Sequence, residues 1–191
     1  LLLIGVVLVL WGLFGSRRKK GKQEEIPALT NELETHYEKS GMTANEISFF
    51  RQTMNQTKNE INQLQMNMQQ TAKLKAIDLR HDPVKAAKAL FKELVKEPNR
   101  LHEASQFLYT HLPNLVDLTN KYNEINDHEI KNKQTYEKLE ESAQIIDQLS
   151  ALIAQDYQKF VAEDLDDIDV EISVAKQSLK RDNKYEPEQK D

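Results

Sequence analysis

The sequence predicts an all-α protein: an extended helical bundle of antiparallel, coiled-coil-like helices behind an N-terminal transmembrane segment. Three observations support this prediction. All five glycines precede residue 42, and the glycine-free remainder, rich in Leu, Glu, Lys, Gln and Ala, suits helices rather than tight β-hairpins, which prefer Asn-Gly or Asp-Gly turns. Apolar residues recur at alternating three- and four-residue steps, which is the helical period. The first 15 residues form one apolar run.

A basic block directly follows that apolar run. Its cationic residues are Arg17, Arg18, Lys19, Lys20 and Lys22. As a helix, the run 1–15 would span about 22 Å of a hydrocarbon core about 30 Å thick, and the chain begins without methionine. We therefore interpret the run as the end of a longer transmembrane segment. Lysine and arginine beside a span favour the cytoplasmic side, so we expect a cell-membrane protein of single or multiple spans, embedded in the lipid bilayer, with its body in the cytoplasm.

A cleaved secretory signal peptide is the alternative interpretation of the same run. Signal peptides carry their positive charge before the apolar stretch and end it with small residues suited to cleavage. Here the charge follows the stretch, and residues 12–15 lack an A-x-A-like site. Trp11 also suits the aromatic belt of a membrane interface. A membrane anchor is therefore favoured.

Composition divides the rest of the chain into three parts. Residues 16–42 are interpreted as the basic block and a polar linker, in which a short helix could run from Pro27 to Lys39. Residues 43–182 are predicted to form a helical cytoplasmic domain, and residues 183–191 a charged, disordered tail. The formal net charge is −5, and because the basic block contributes +5, the remainder carries −10. That balance argues against nucleic-acid binding, and the absence of cysteine excludes disulfides and thiolate nucleophiles.

The first long helix of the domain has a clear start. Thr43 with Glu46 three residues later forms the pattern of a capping box. A seam with an average period of 3.5 residues follows, comprising Ile47, Phe50, Met54, Thr57, Ile61, Leu64, Met68, Thr71 and Lys75. Such a seam predicts a helix that packs lengthwise against another helix, either within the chain or in a homo-oligomer.

Prolines mark the expected helix boundaries between residues 82 and 113. Asp82 suits the N-cap and Pro83 the first position of a second helix. Its apolar stripe consists of Val84, Ala87, Leu90, Phe91, Leu94 and Val95. Pro98 can open a third helix, with one side formed by Leu101, Ser105, Leu108 and Leu112. Pro113 is expected to break or kink that helix.

A long helical pattern follows Asn114 and ends with a separate last helix. The polar stretch 126–133 leaves open whether residues 114–163 form one helix or two. The last helix has apolar residues at three- and four-residue steps: Leu165, Ile168, Ile172, Ala175 and Leu179. Strict alternation over 168–174 would also fit a short strand, but the following residues 175–181 favour a helix.

Candidate chemistry is sparse. The densest acidic stretch, with Asp166, Asp167, Asp169 and Glu171, is the candidate metal site because hard cations prefer carboxylates. The calcium-loop pattern fails, since the sixth position counted from Asp167 is Ile172 rather than glycine, and acidic residues also suit the start of a helix. The five histidines never recur at metal-binding spacings. We therefore predict no cofactor and no metal.

A partner surface is the other candidate site. Residues 108–114 combine an aromatic residue, a histidine and a proline break. Tyr109 and His111, together with Tyr122 on the following helix, could line a groove for a partner helix. A helix end packed into the bundle explains the same residues.

Four stretches resemble the bacterial XpaC-like family, which is named for 5-bromo-4-chloroindolyl phosphate hydrolysis. They are Phe49-Phe50-Arg51, the run from Lys85 to Pro98, the segment from Phe107 to Asn114, and Lys121-Tyr122. The resemblance covers roughly residues 41–183 and the N-terminal anchor. It implies a membrane-associated protein linked by name to cleavage of a chromogenic phosphate ester, and a TelA-like toxic-anion (tellurite) resistance protein as partner. It carries over no catalytic residue.

Two functions follow from these observations. Phosphatases need a nucleophile or metal-activated water and donors for the developing phosphoryl charge. Residues 167–169 match the literal D-x-D pattern but lack the strand-and-glycine context of a phosphoaspartyl enzyme. A non-catalytic adaptor that binds a protein partner in envelope stress or toxic-anion resistance is therefore favoured. The alternative is a metal-dependent phosphoester hydrolase that uses the acidic stretch.

Overall fold

The computed structural model describes residues 30–182, except for the side chains of residues 163–167 and 181–182. The predicted transmembrane segment, the basic block 17–22 and the tail 183–191 lie outside this part. Within it, all regular secondary structure is helical, so the all-α prediction is confirmed. The helices are α1 (Asn31–Lys39), α2 (Ala44–Met68), α3 (Ala72–His81), α4 (Pro83–Lys96), a 3-10 helix (Pro98–Ala104), a π-helix (Phe107–His111), α5 (Leu112–Asn126), α6 (Lys133–Phe160) and α7 (Ala162–Asp182).

The chain divides into two compact units, up to residue 157 and from residue 158 onward. In the first unit α2 is central and packs against α3, α4 and α5. The second unit comprises the end of α6 and the whole of α7. Within residues 30–182, none of the helices combines the length and the apolarity that crossing a bilayer requires.

Helix α1 lies in the region interpreted as linker and is docked on the bundle. Its buried Tyr37 meets the ring of Phe50 edge-on, with centroids 5.5 Å apart. His36 Nε2 lies 3.1 Å from the carbonyl oxygen of Val95, a geometry that requires the proton on Nε2. Gly41, with φ of 76°, permits the left-handed turn that ends the helix. The folded body therefore includes residues that precede Thr43.

Helix α2 begins as predicted and ends earlier than predicted. The Thr43 backbone N–H donates to Glu46 at 2.7 Å and the Glu46 N–H to Thr43 Oγ1 at 3.4 Å, which confirms the capping box. The seam residues Ile47, Phe50, Met54, Thr57, Ile61, Leu64 and Met68 are all buried. The expected continuation through Thr71 and Lys75 is wrong. Thr71 is instead the N-cap of α3, since its hydroxyl accepts the Leu74 N–H at 3.2 Å.

A buried polar network sets the register of α2 against α5. Asn67 Nδ2 donates to Thr119 Oγ1 at 2.9 Å and to the Val116 carbonyl at 3.4 Å. Asn123 Nδ2 donates to the Asn67 carbonyl at 3.1 Å. Gln63 Nε2 donates to Asn67 Oδ1 and to Asn120. Because later residues of α2 pair with earlier residues of α5, the two helices run antiparallel, and a slip by one turn would leave these buried groups without partners.

The junction between α3 and α4 depends on backbone conformation. Asp82 occupies the left-handed region, with φ of 51° and ψ of 38°, and Pro83 opens α4 as predicted. Asp82 occupies the N-cap position of α4, as predicted, but in the described structure its side chain makes no capping hydrogen bond. The predicted apolar stripe of α4 is buried throughout, from Val84 to Val95.

The third predicted helix is irregular. Residues 98–104 form the 3-10 helix and residues 107–111 the π-helix; Leu108 and Leu112 are buried, whereas Ser105 is exposed. The Leu112 N–H reaches the carbonyl of Phe107 five residues back. Pro113 cannot donate a hydrogen bond and sits in the first turn of α5. The π-helix, called the π-turn below, thus accommodates the interruption of the helical hydrogen-bond pattern that the proline imposes.

The open question about residues 114–163 is resolved in favour of two helices. Residues 127–132 turn the chain between α5 and α6. Asn132 Oδ1 accepts the Thr135 N–H at 2.9 Å, the geometry of an N-cap. The last predicted helix is confirmed as α7, so the strand interpretation of residues 168–174 is wrong.

Candidate functional sites

Helix α6 presents a carboxylate at each edge of its buried face. That face consists of Leu139, Ala143, Ile146, Ser150 and Ile153. Asp147 and Asp156 are nine residues apart, which is a rotation of about 180° around a helix. The two carboxylates therefore point to different neighbours, Asp147 to the end of α3 and Asp156 to the π-helix.

The π-helix site joins His111 to Asp156. His111 Nδ1 lies 2.6 Å from Asp156 Oδ2, and the side chains are only 17% and 11% exposed. Since a carboxylate oxygen accepts, the ring nitrogen Nδ1 carries the proton. This short hydrogen bond from His111 to the Asp156 carboxylate is largely shielded from water, and it fixes the π-turn on α6.

The predicted partner residues are not all accessible. Tyr109, two residues before His111 on the π-turn, is 56% exposed. Tyr122 is only 7% exposed, and burial raises the pKa of its phenol above the ordinary value. Tyr122 therefore belongs to the helix interface. The accessible surface of the π-turn consists of Tyr109 and Thr110, which are both exposed. His111 is directed inward, where it contacts Asp156 of α6.

A polar groove of about 390 Å³ lies between α3 and α6. Lys73 Nζ is 3.0 Å from Glu140 Oε2, and Arg80 pairs with Asp147. His81 Nε2 lies 3.1 Å from the same Asp147 oxygen without forming a hydrogen bond to it. We refer to this cleft as the α3–α6 groove.

The groove shows that α3 and α6 run in the same direction. Lys73 to Glu140 and Arg80 to Asp147 each join residues 67 apart in the chain. Both contacts can form only if the two helices are parallel, so the expectation of antiparallel packing does not hold for this pair. Solvent-exposed ion pairs contribute about 0.2–1 kcal/mol each, so these contacts orient α3 more than they stabilise it.

The sequence interpretation missed the groove and the His111–Asp156 pair. One usable signal existed for the groove, since Lys73 and Arg80 share the seven-residue spacing of Glu140 and Asp147. Seven residues are two helical turns, so each pair lies on one helix face. The 45-residue separation of His111 and Asp156 carries no such signal.

The acidic stretch is only partly described. Asp169 and Glu171 are exposed on α7, and the side chains of Asp166 and Asp167 lie outside the described part. Among the described side chains, no three His, Asp or Glu residues lie close enough to hold a metal ion. The candidate orientation residues Arg17, Arg18, Lys19, Lys20 and Lys22 also lie outside it.

These observations define an all-helical protein whose organised polar chemistry, within residues 30–182, consists of contacts between helices. The chain belongs to the family described as 5-bromo-4-chloroindolyl phosphate hydrolysis protein, whose sequence profile matches residues 1–175. It is also 31% identical over 86 residues to Protein XpaC of Bacillus subtilis (strain 168). The predicted family membership is confirmed.

The match to that relative is partial. The aligned residues cover 45% of this chain and 42% of the relative, so less than half of either protein is compared. No solved structure matches the chain significantly.

Proposed function

We propose that this protein is a non-catalytic adaptor, tethered to the membrane by its N-terminal segment, with its helical body in the cytoplasm. The proposed partner is a helical protein of the TelA-like toxic-anion resistance type, and the proposed role lies in envelope stress or toxic-anion resistance. The observation that supports this most is an exposed aromatic side chain, Tyr109, on a π-turn that the His111–Asp156 pair holds in place.

The physical argument rests on preorganisation. Tyrosine is enriched among the residues that dominate binding energy at protein interfaces, because it buries a large ring and still offers a hydroxyl. A π-turn interrupts the regular helix and often marks a functional position. Since the His111–Asp156 contact is formed without a partner, binding would cost little additional ordering of this turn.

Capture of a TelA-like protein tests the partner surface. The full chain, carrying an affinity tag, is purified from bacterial membranes that also contain a TelA-like protein, and the retained amount is measured. Tyr109→Ala should reduce retention by at least about tenfold, because truncating a binding hot spot costs 2 kcal/mol or more. Tyr136→Ala is the matched control, since Tyr136 is 61% exposed at the start of α6, and it should retain the partner fully. Equal retention by both variants would refute the proposed surface.

Thiol labelling tests the proposed orientation. The chain has no cysteine, so Gln134→Cys, at an exposed position near the start of α6, introduces a single thiol. In intact cells a membrane-impermeant maleimide should leave it unlabelled, and permeabilisation should expose it. Labelling in intact cells would place the body outside the cytoplasm and contradict the proposal.

The alternative is a metal-dependent phosphoester hydrolase acting on indolyl phosphates. The description of the family favours it. It differs from the adaptor in requiring the acidic stretch of α7, including Asp167 and Asp169, to bind metal and activate water.

A further inference from the structure

Helix α7 exposes the apolar side chains described on it. From residue 168 to residue 180, these are Ile168, Val170, Ile172, Val174, Ala175 and Leu179. The helix has 21 residues, and in proteins the packing of an apolar face, rather than intrinsic propensity, supplies most helical stability. A surface that packs on α7 would bury these apolar side chains and supply the tertiary packing that the helix lacks.

The shape of the apolar stripe identifies the kind of surface that fits. At about 100° per residue, Ile168, Ile172, Ala175 and Leu179 fall within about 60° of the helix circumference. A helix that packs on a globular core typically shows a stripe of about 100° or more, whereas a strict heptad seam is the narrower pattern of a two-helix coiled coil. Leu165 continues the same register in the sequence. The stripe therefore fits one partner helix.

The charges of α7 indicate which helix that is. Residues 163–171 include six acidic residues, Glu163, Asp164, Asp166, Asp167, Asp169 and Glu171, and no basic residue. Residues 172–182 include Lys176, Lys180 and Arg181 against the single acid Asp182. Two parallel copies of α7 would align their acidic halves and repel each other. Two antiparallel copies would place each acidic half beside a basic half.

We propose that α7 pairs antiparallel with α7 of a second copy of this chain, around a two-fold axis midway between Ile172 and Ala175. In this register Ile168 packs near Leu179 of the second copy, and Ile172 packs near Ala175. Asp169 and Lys176 share one flanking position of the heptad, seven residues apart. The two-fold axis brings Asp169 of each copy beside Lys176 of the other, so the interface is self-complementary. This pairing is independent of the proposed partner surface on the π-turn.

Disulfide cross-linking of the full chain in bacterial membranes tests the pairing and its direction. Because the chain has no cysteine, Asp169→Cys and Lys176→Cys each introduce one thiol. When differently tagged versions of the two variants are expressed together and oxidised, we expect a mixed disulfide dimer, with little dimer from either variant alone. Dimers from each variant alone would show a parallel pair and overturn the proposal. Absence of the mixed dimer would overturn it as well.

Two substitutions on α7 show whether the seam carries the contact. Ile172→Asp, added to both cysteine variants, places a charge in the centre of the seam and should abolish the mixed dimer. Val174→Asp is the matched control, since Val174 is also exposed but lies off the seam, and it should leave the dimer intact. Loss with both substitutions, or with neither, would contradict packing through the seam.

Discussion

The His111–Asp156 pair gives the most specific stability prediction. His111→Ala removes the ring that bonds Asp156 and leaves a carboxylate that is 11% exposed without that partner. A hydrogen bond to a charged group contributes about 1.5–3 kcal/mol, and an unsatisfied buried group adds a penalty of its own. Because both side chains are largely buried, solvent screening reduces this figure little. We expect the free energy of unfolding to fall by about 2 kcal/mol.

Urea denaturation of the purified full chain, followed by circular dichroism, measures this loss. His102→Ala is the control, because His102 is exposed and its ring bonds the Asn99 carbonyl within its own turn; it should change stability by less than about 0.5 kcal/mol. A double-mutant cycle with Asp156→Asn should give a coupling energy of about 1 kcal/mol or more. Equal losses for His111→Ala and His102→Ala, or a coupling near zero, would refute the role assigned to the pair.

Four further substitutions, one of them a control, test other parts of the structure. Asn67→Ala should cost about 2–3 kcal/mol of unfolding free energy because it removes buried bonds between α2 and α5, whereas Gln63→Ala, at the edge of the same network, should cost less than about 1 kcal/mol. Asp82→Gly should stabilise the chain by up to about 1 kcal/mol in the same urea assay, because glycine adopts the left-handed conformation without strain. Burial raises the pKa of Glu60, and its Oε2 has no hydrogen-bond partner among the described residues. A raised carboxyl pKa means that the protonated form is favoured in the folded state, so Glu60→Gln should raise the urea midpoint at pH 7, and the gain should vanish below about pH 4.

Local patterns predicted much of the helical architecture. The capping box at Thr43, the proline at position 83 and the apolar stripe of α4 each depend on residues within a few positions of one another, so the sequence contains the whole signal. The end of α2 was missed because Thr71 continues the heptad spacing while its hydroxyl also caps α3. In that case a local hydrogen bond prevails over the periodic pattern.

Long-range contacts account for most of the features that the sequence did not predict. The partner of His111 lies 45 residues away and the partners across the α3–α6 groove lie 67 residues away, so the packing of the bundle determines them. The exposure of the two tyrosines also depends on the packing of the bundle. Tyr109 and Tyr122 were grouped as one surface, yet the first is exposed on the π-turn and the second is buried.

An activity assay with the purified full chain tests the central claim, that this protein acts by binding rather than by catalysis. 5-Bromo-4-chloroindolyl phosphate is incubated with the chain and Mg²⁺, Mn²⁺ or Zn²⁺, and release of the indoxyl product is followed. We expect the rate of the protein-free control with each metal. Metal-dependent turnover that Asp167→Ala and Asp169→Ala abolish would contradict it.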